Sequence, residues 1–210
     1  MLWILMLFSL SQFPEAEPLP KAYLEGNAAF SKQDYPRALE LYRQALAEDP
    51  ENAEFLRSIG AVHGAQNNFA EARVWLEKSC QAKSPSALGC LQLGRTHYFE
   101  NNFEAALTAI DRSISIKNLG ARAAFARAQV LDRLNRNAEA DLEYRKALAD
   151  SALRPAESGE IQLVYANFLL RQGKPAAALW QLDQALRKRP EDARIQEERN
   201  KCLAALDQNP

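Results

Sequence analysis

The sequence lacks every common catalytic signature: no phosphate-binding glycine loop, no nucleophile elbow, no metalloprotease pair of histidines and no paired Cys-x-x-Cys. Histidine is reduced to His63 and His97, and no third ligand accompanies them, so no metal or other cofactor is expected and the two read as packing residues. Charge of one sign is missing as well. Lys and Arg number 26 against 27 Asp and Glu, a formal net charge of -1, which gives no global field for nucleic acid or an anionic membrane. Arginines and aromatics interleave too sparsely for a groove that tracks a nucleic-acid backbone. No segment alternates β-branched and polar residues as a half-buried strand would. What remains is the ordinary balance of a soluble globular chain, 47% hydrophobic and 25% charged.

Long apolar runs are also absent, with one short exception. Leu2 to Phe8 is unbroken apolar sequence, and no charged side chain appears until Glu15. The run is too short to span a bilayer, so no transmembrane span is expected in the mature chain. Its length and the small residues of Ser9-Leu10-Ser11 suit a secretory signal over residues 1–11, although the basic segment that opens such signals is missing. That reading places the protein in the periplasm or cell envelope. The alternative is a cytoplasmic protein whose apolar extension packs on the first helix. Residues 12–18, with Pro14, Pro18, Glu15 and Glu17, read as an extended tether.

Self-comparison supplies the organising signal. Gly26, Gly60, Gly94 and Ala128 are 34 residues apart, as are Ala38, Ala72, Ala106 and Ala140. The same spacing relates Tyr42, Leu76, Ile110 and Tyr144; Ala45, Ser79, Ser113 and Ala147; and Leu46, Cys80, Ile114 and Leu148. A 34-residue period is that of a helix–turn–helix unit stacked into a superhelix. The small columns let paired helices approach closely, and the larger columns fill the space between units that cannot bury a core alone. Local signals agree: Asp34-Tyr35-Pro36 opens a helix, and Asp49-Pro50 and Arg189-Pro190 close others.

These residues, above all Gly26-Asn27, Asp34-Tyr35, Ala38, Tyr42, Ala45-Leu46 and Asp49-Pro50, resemble the tetratricopeptide repeat family. The resemblance covers about nine-tenths of the chain and implies an all-α, right-handed α-solenoid. Four repeats stand in strict register, at 19–52, 53–86, 87–120 and 121–154. A fifth, at 159–190, is displaced: Ala178, Leu182 and Ala185 lie 38 residues beyond Ala140, Tyr144 and Ala147. The four extra residues fit the Ser151–Ser158 connection, and residues 191–207 form a polar-faced capping helix.

The resemblance also implies what the protein does. The expected function is a protein–protein interaction module, an adaptor or assembly factor rather than an enzyme. Its concave groove, lined by the first helix of each pair, would hold an extended or acidic peptide segment of a partner. Carried over column by column, that groove holds Tyr23, Arg57 and Phe125; Asn27, Arg95 and Gln129; then Phe30 and Tyr98; with Arg133, Asn167 and Arg171 extending it and Arg122 at its edge. Glu54 and Asp132 moderate its positive character. Relatives that grip chaperone tails use a Lys/Asn/Arg clamp of which only Asn27 fits; Tyr23, Ser58, Leu88 and Gln92 replace the rest. The alternative function is a structural scaffold that self-associates or bridges subunits through convex and terminal surfaces. In this architecture Cys80 and Cys90 lie on adjacent helices, which opens two readings, a disulfide or two small core hydrophobes. Cys202 has no evident partner and reads as a packed or free thiol.

Overall fold

The computed structural model describes residues 19–207, so the 1–11 segment and the 12–18 tether lie outside the described residues. Five helical hairpins and a final helix follow one another: α1 (Lys21–Ser31) with α2 (Tyr35–Glu48), α3 (Ala53–Ala65) with α4 (Phe69–Gln81), α5 (Ala87–Phe99) with α6 (Phe103–Ile116), α7 (Ala121–Arg133) with α8 (Asn137–Leu148), α9 (Pro155–Arg171) with α10 (Pro175–Lys188), then α11 (Ala193–Asp207). No strand occurs among the described residues, and none of their helices is long and apolar enough to cross a membrane. The architecture is an α-solenoid.

Each hairpin turns on the same device. Gln33, Asn67, Asn101, Asn135 and Gly173 have φ between 57° and 69°, and the next residue donates its N–H back five positions. Asp34 reaches Ala29 O at 3.0 Å, Asn68 reaches His63 O at 2.9 Å and Asn102 reaches His97 O at 2.8 Å. This left-handed closure satisfies the carbonyls that a helix end leaves open. Caps start several helices: Asp34 accepts from Arg37 N, Asn52 from Glu54 N and Phe55 N, and Ser86 from Gly89 N.

The small column sets how closely the two helices of a hairpin approach. A Cβ on Gly26 would lie 2.7 Å from the Tyr42 ring, and one on Gly94 would lie 2.5 Å from Ile110 and 2.9 Å from the carbonyl oxygen of Ala106. Ala38, Ala72, Ala106 and Ala140 are fully buried on the facing helices. Between hairpins, apolar residues merge into one large cluster running from α5 to α11, a second around α1–α3, and a third at the junction of α4, α5 and α6. That third cluster contains a disulfide: Cys80 and Cys90 are bonded, with Cα atoms 4.8 Å apart, and join the end of α4 to the start of α5. Cys202 is a buried free thiol on α11.

The displaced fifth repeat has a structural counterpart. α9 is 17 residues long, whereas the other leading helices have 11 to 13. It begins at Pro155, whose ring is preset for a first helical turn, and Arg154 and Glu157 pair across that turn.

Three expected outcomes test this packing. Gly94→Ala should lower stability by about 1–2 kcal/mol: overpacking against a backbone oxygen costs roughly 1–3 kcal/mol, and better helix propensity returns about 0.5–1 kcal/mol. Gly26→Ala should also be destabilising in the same urea or thermal melt, because the opposing Tyr42 ring is buried and held through its hydroxyl by Asn27. Cys80→Ala/Cys90→Ala should cost about 2–3 kcal/mol, the loop-closure value for this short crosslink. An oxidised wild type that melts like the double variant would exclude that contribution.

Candidate functional site

The leading helices α1, α3, α5, α7 and α9 carry two recesses on the expected groove surface. The first lies over α3, between α1 and α5, and encloses about 250 Å³. Gly60, Ala61, Gly64 and Ala65 form its low floor, and Phe30, Phe69 and Phe99 its walls. Phe69 and Phe99 stack with centroids 5.2 Å apart, and Phe99 remains 53% exposed. Arg95 is exposed at the rim, and the buried Oε1 of Gln92 has no hydrogen-bond partner among the described residues.

The second recess lies over α7, between α5 and α9, and encloses about 590 Å³. Tyr98, Gln129, Asp132, Arg133, Asn167 and Arg171 line it, with Tyr144 at its base. Arg171 pairs with Asp132. The Arg133 guanidinium sits 4.5 Å from the Phe103 ring centroid and donates to Asn101 Oδ1 at 3.4 Å, so aromatic stacking orients it while leaving donors unused. Tyr144 is fully buried, and its hydroxyl has no partner among the described residues. Burial pushes its pKa well up, so it presents a neutral O–H donor at neutral pH. Two guanidinium groups, four carboxamides (Gln129, Asn135, Asn167 and Gln172) and a buried hydroxyl surround one carboxylate, a donor-rich setting suited to a carboxylate or a peptide carbonyl.

The expected groove residues divide accordingly. The second recess gathers Tyr98, Gln129, Arg133, Asn167 and Arg171, and the first gathers Phe30 and Arg95. Tyr23 is not a groove residue: it is 6% exposed, packs 4.8 Å from the Phe55 ring and shares polar contacts with Arg57 and Ser58. Arg57 is likewise committed, with a side chain 15% exposed and bonded to Glu54 Oε2 at 2.7 Å. Asn27 accepts from the Tyr42 hydroxyl at 2.8 Å. Phe125 is half-buried beside the Tyr144 ring, 6.2 Å between centroids. Arg122 is exposed near Glu157 and lines neither recess. His63 and His97 are half-buried, with His97 Nδ1 3.5 Å from Glu100 and burial lowering the pKa of His63.

Phe99, Phe69 and Tyr144 were not among the expected groove residues. A signal for Phe99 exists in its column, which reads Ser31, Ala65, Phe99, Arg133 and Arg171. The change from small to large along it marks where the groove acquires its walls.

Comparison with known proteins agrees with this architecture. Solved structures of PilW, a widely conserved type IV pilus biogenesis factor, and YrrB, a TPR protein with an unusual peptide-binding site, share the fold. PilW gives a TM-score of 0.79 at 14% identity over 90% of this chain and 86% of its own. YrrB gives 0.66 at 18% identity over 87% and 92%. Among curated proteins, human DnaJ homolog subfamily C member 7 is 28% identical over 58% of this chain and 25% of its own length. Wheat Hsp70-Hsp90 organizing protein is 23% identical over 88% and 32%. The chain thus spans about a quarter to a third of those two relatives. A tetratricopeptide repeat model matches residues 23–87 and 91–158, and a second of the same description matches 159–202. With these matches extending over most of its length, the chain belongs to the tetratricopeptide repeat family.

Proposed function

We propose that this interaction module binds an extended segment of a partner protein along its concave surface. An apolar side chain would enter the Phe30–Phe69–Phe99 recess, and a carboxylate would meet Arg133, Arg171 and the Tyr144 hydroxyl. The observation that carries the proposal is the buried Tyr144 hydroxyl, unpartnered in a recess flanked by two guanidinium groups. Leaving such a group unsatisfied is costly, and a ligand acceptor would satisfy it. Segments of this kind bind tightly only if the groove is preformed, which a rigid helical array supplies.

The chaperone-tail clamp is not part of the proposal despite the similarity to Hsp70-Hsp90 organizing protein. Ser58 is buried against Tyr23, while Leu88 and Gln92 are uncharged and half-buried. We further propose that the protein works in an exported, periplasmic or envelope setting. The Cys80–Cys90 bond supports that reading, because disulfides persist in oxidising compartments.

Affinity capture from the native host, compared between wild type and Arg133→Glu/Arg171→Glu, tests the groove. Both arginines are exposed, so helicity and melting should change little. Partner retention should fall by at least about tenfold, since lost charge-assisted hydrogen bonds are worth roughly 1.5–3 kcal/mol each. A partner captured equally by both proteins would move the site off this surface.

A further inference from the structure

The repeat places three equivalent residues at every junction where a second helix meets the next hairpin, and each junction resolves them differently. At the first they are Leu46, Leu56 and Trp75, an apolar solution around a shallow recess. At the second they are Cys80, Cys90 and Ala109, closed by the disulfide. At the third they are Ile114, Ala124 and Glu143. Glu143 is buried there but compensated, with Arg127 at 3.2 Å and Lys146 at 2.6 Å. At the fourth, counted through the four-residue displacement, they are Leu148, Gln162 and Gln181.

This fourth junction is polar and uncompensated. Gln162 is 5% exposed and Gln181 is 9% exposed, and neither Oε1 has a hydrogen-bond partner among the described residues. Both line an open cleft of about 590 Å³ between α8 and α10, on the opposite side of α9 from the groove recess. Trp180, 58% exposed, stands at the cleft with Lys174, Lys188 and Arg145. The carboxylate of Asp141 in this cleft is already engaged, accepting from Tyr165 at 2.6 Å and pairing with Arg145 at 2.7 Å. The remaining cations, Lys174 and Lys188, leave the cleft positive.

We propose that this convex cleft is a second binding site, for an acidic extended segment of a partner protein. A carboxamide both accepts and donates, and an extended backbone offers N–H and C=O groups along one edge. The two glutamines match that edge. Lys174 and Lys188 supply the charge complement to Asp or Glu side chains, and Trp180 a face for an apolar residue. Occupied together with the groove, the cleft makes the protein a bridge between two segments on opposite faces of the array. The cleft site does not depend on the groove reading.

The test pans a displayed random-peptide library on the full chain. In parallel it pans on Gln162→Leu/Gln181→Leu, on Lys174→Glu/Lys188→Glu and on Arg133→Glu/Arg171→Glu. Leucine already stands at the equivalent positions, as Leu56 and Leu41, so the fold has precedent for the glutamine variant. One class of acidic sequences should bind wild type and the Arg133/Arg171 variant alike, and lose at least about tenfold in affinity on the glutamine and lysine variants; acidic sequences that follow the arginine variant instead are ligands of the groove. Melting of the glutamine variant should be unchanged or higher, since an unpartnered buried carbonyl is removed.

Recovery of no acidic sequence, or of acidic sequences that all follow the arginine variant, would overturn the cleft. A lowered melting temperature would show the glutamines to be structural, and if the lysine variant then still bound the peptides the proposal would fall. Concentration-dependent sedimentation of wild type that the glutamine variant loses would assign the cleft to a second copy of the chain and overturn the partner assignment.

Discussion

Every surface of this molecule depends on how closely the two helices of a hairpin approach. Gly26, Gly60 and Gly94 put a hydrogen atom where another residue would place a carbon less than 3 Å from the opposing side chain. That approach fixes the tilt of each hairpin, and the tilt is inherited by the next through the residues of the larger columns. No single hairpin buries a core of its own; stability comes from stacking, so the geometry of the contact is repeated rather than averaged. The groove and the convex clefts are the two sides of this one repeated angle.

The same regularity explains how the chain can differ from repeat to repeat without losing its fold. Positions that face a neighbouring hairpin need volume, and the sequence meets that need with leucine, a half-cystine pair or a charged glutamate with its partners. Ser79 and Ser113 show a smaller variation. Each is buried where the first and fourth repeats have alanine, and each donates to a carbonyl at the start of its own hairpin, Ala53 or Ala87, at 2.7 Å. Polar atoms are admitted where a local partner exists. Among the described residues, four of the six exceptions, at Tyr144, Gln92, Gln162 and Gln181, border recesses, and the other two are the Nδ1 atoms of His63 and His97.

Much of the architecture was legible because a period is a one-dimensional signal. The spacing of Gly26, Gly60, Gly94 and Ala128 required only counting, and the displaced fifth repeat was visible as 38 residues in place of 34. The turn residues Gln33, Asn67, Asn101, Asn135 and Gly173 keep the same spacing but were harder to read, because asparagine and glutamine do not announce a positive φ as glycine does. The groove was legible only in part. A column gives the face on which a side chain begins, not where it ends: Tyr23 turns inward against Phe55, while Phe125, its equivalent two repeats beyond Arg57, is only half-buried. Whether an arginine is available depends on its neighbours, as Glu54 shows by occupying Arg57 while Arg95 stays exposed. Orphaned atoms cannot be read from a sequence at all, since they are defined by what fails to approach them.

The crosslink at the α4–α5 junction has a consequence for how such an array comes apart. A stacked solenoid frays from its free ends, because a terminal hairpin has one neighbour and an internal hairpin has two. The Cys80–Cys90 bond ties the second hairpin to the third, so openings that travel inward from either end meet a covalent stop. Amide hydrogens of α4 and α5 would then exchange last, and the two flanking stretches become separate cooperative units that can loosen independently. A ligand at one end could be released by local opening while the other end keeps its grip.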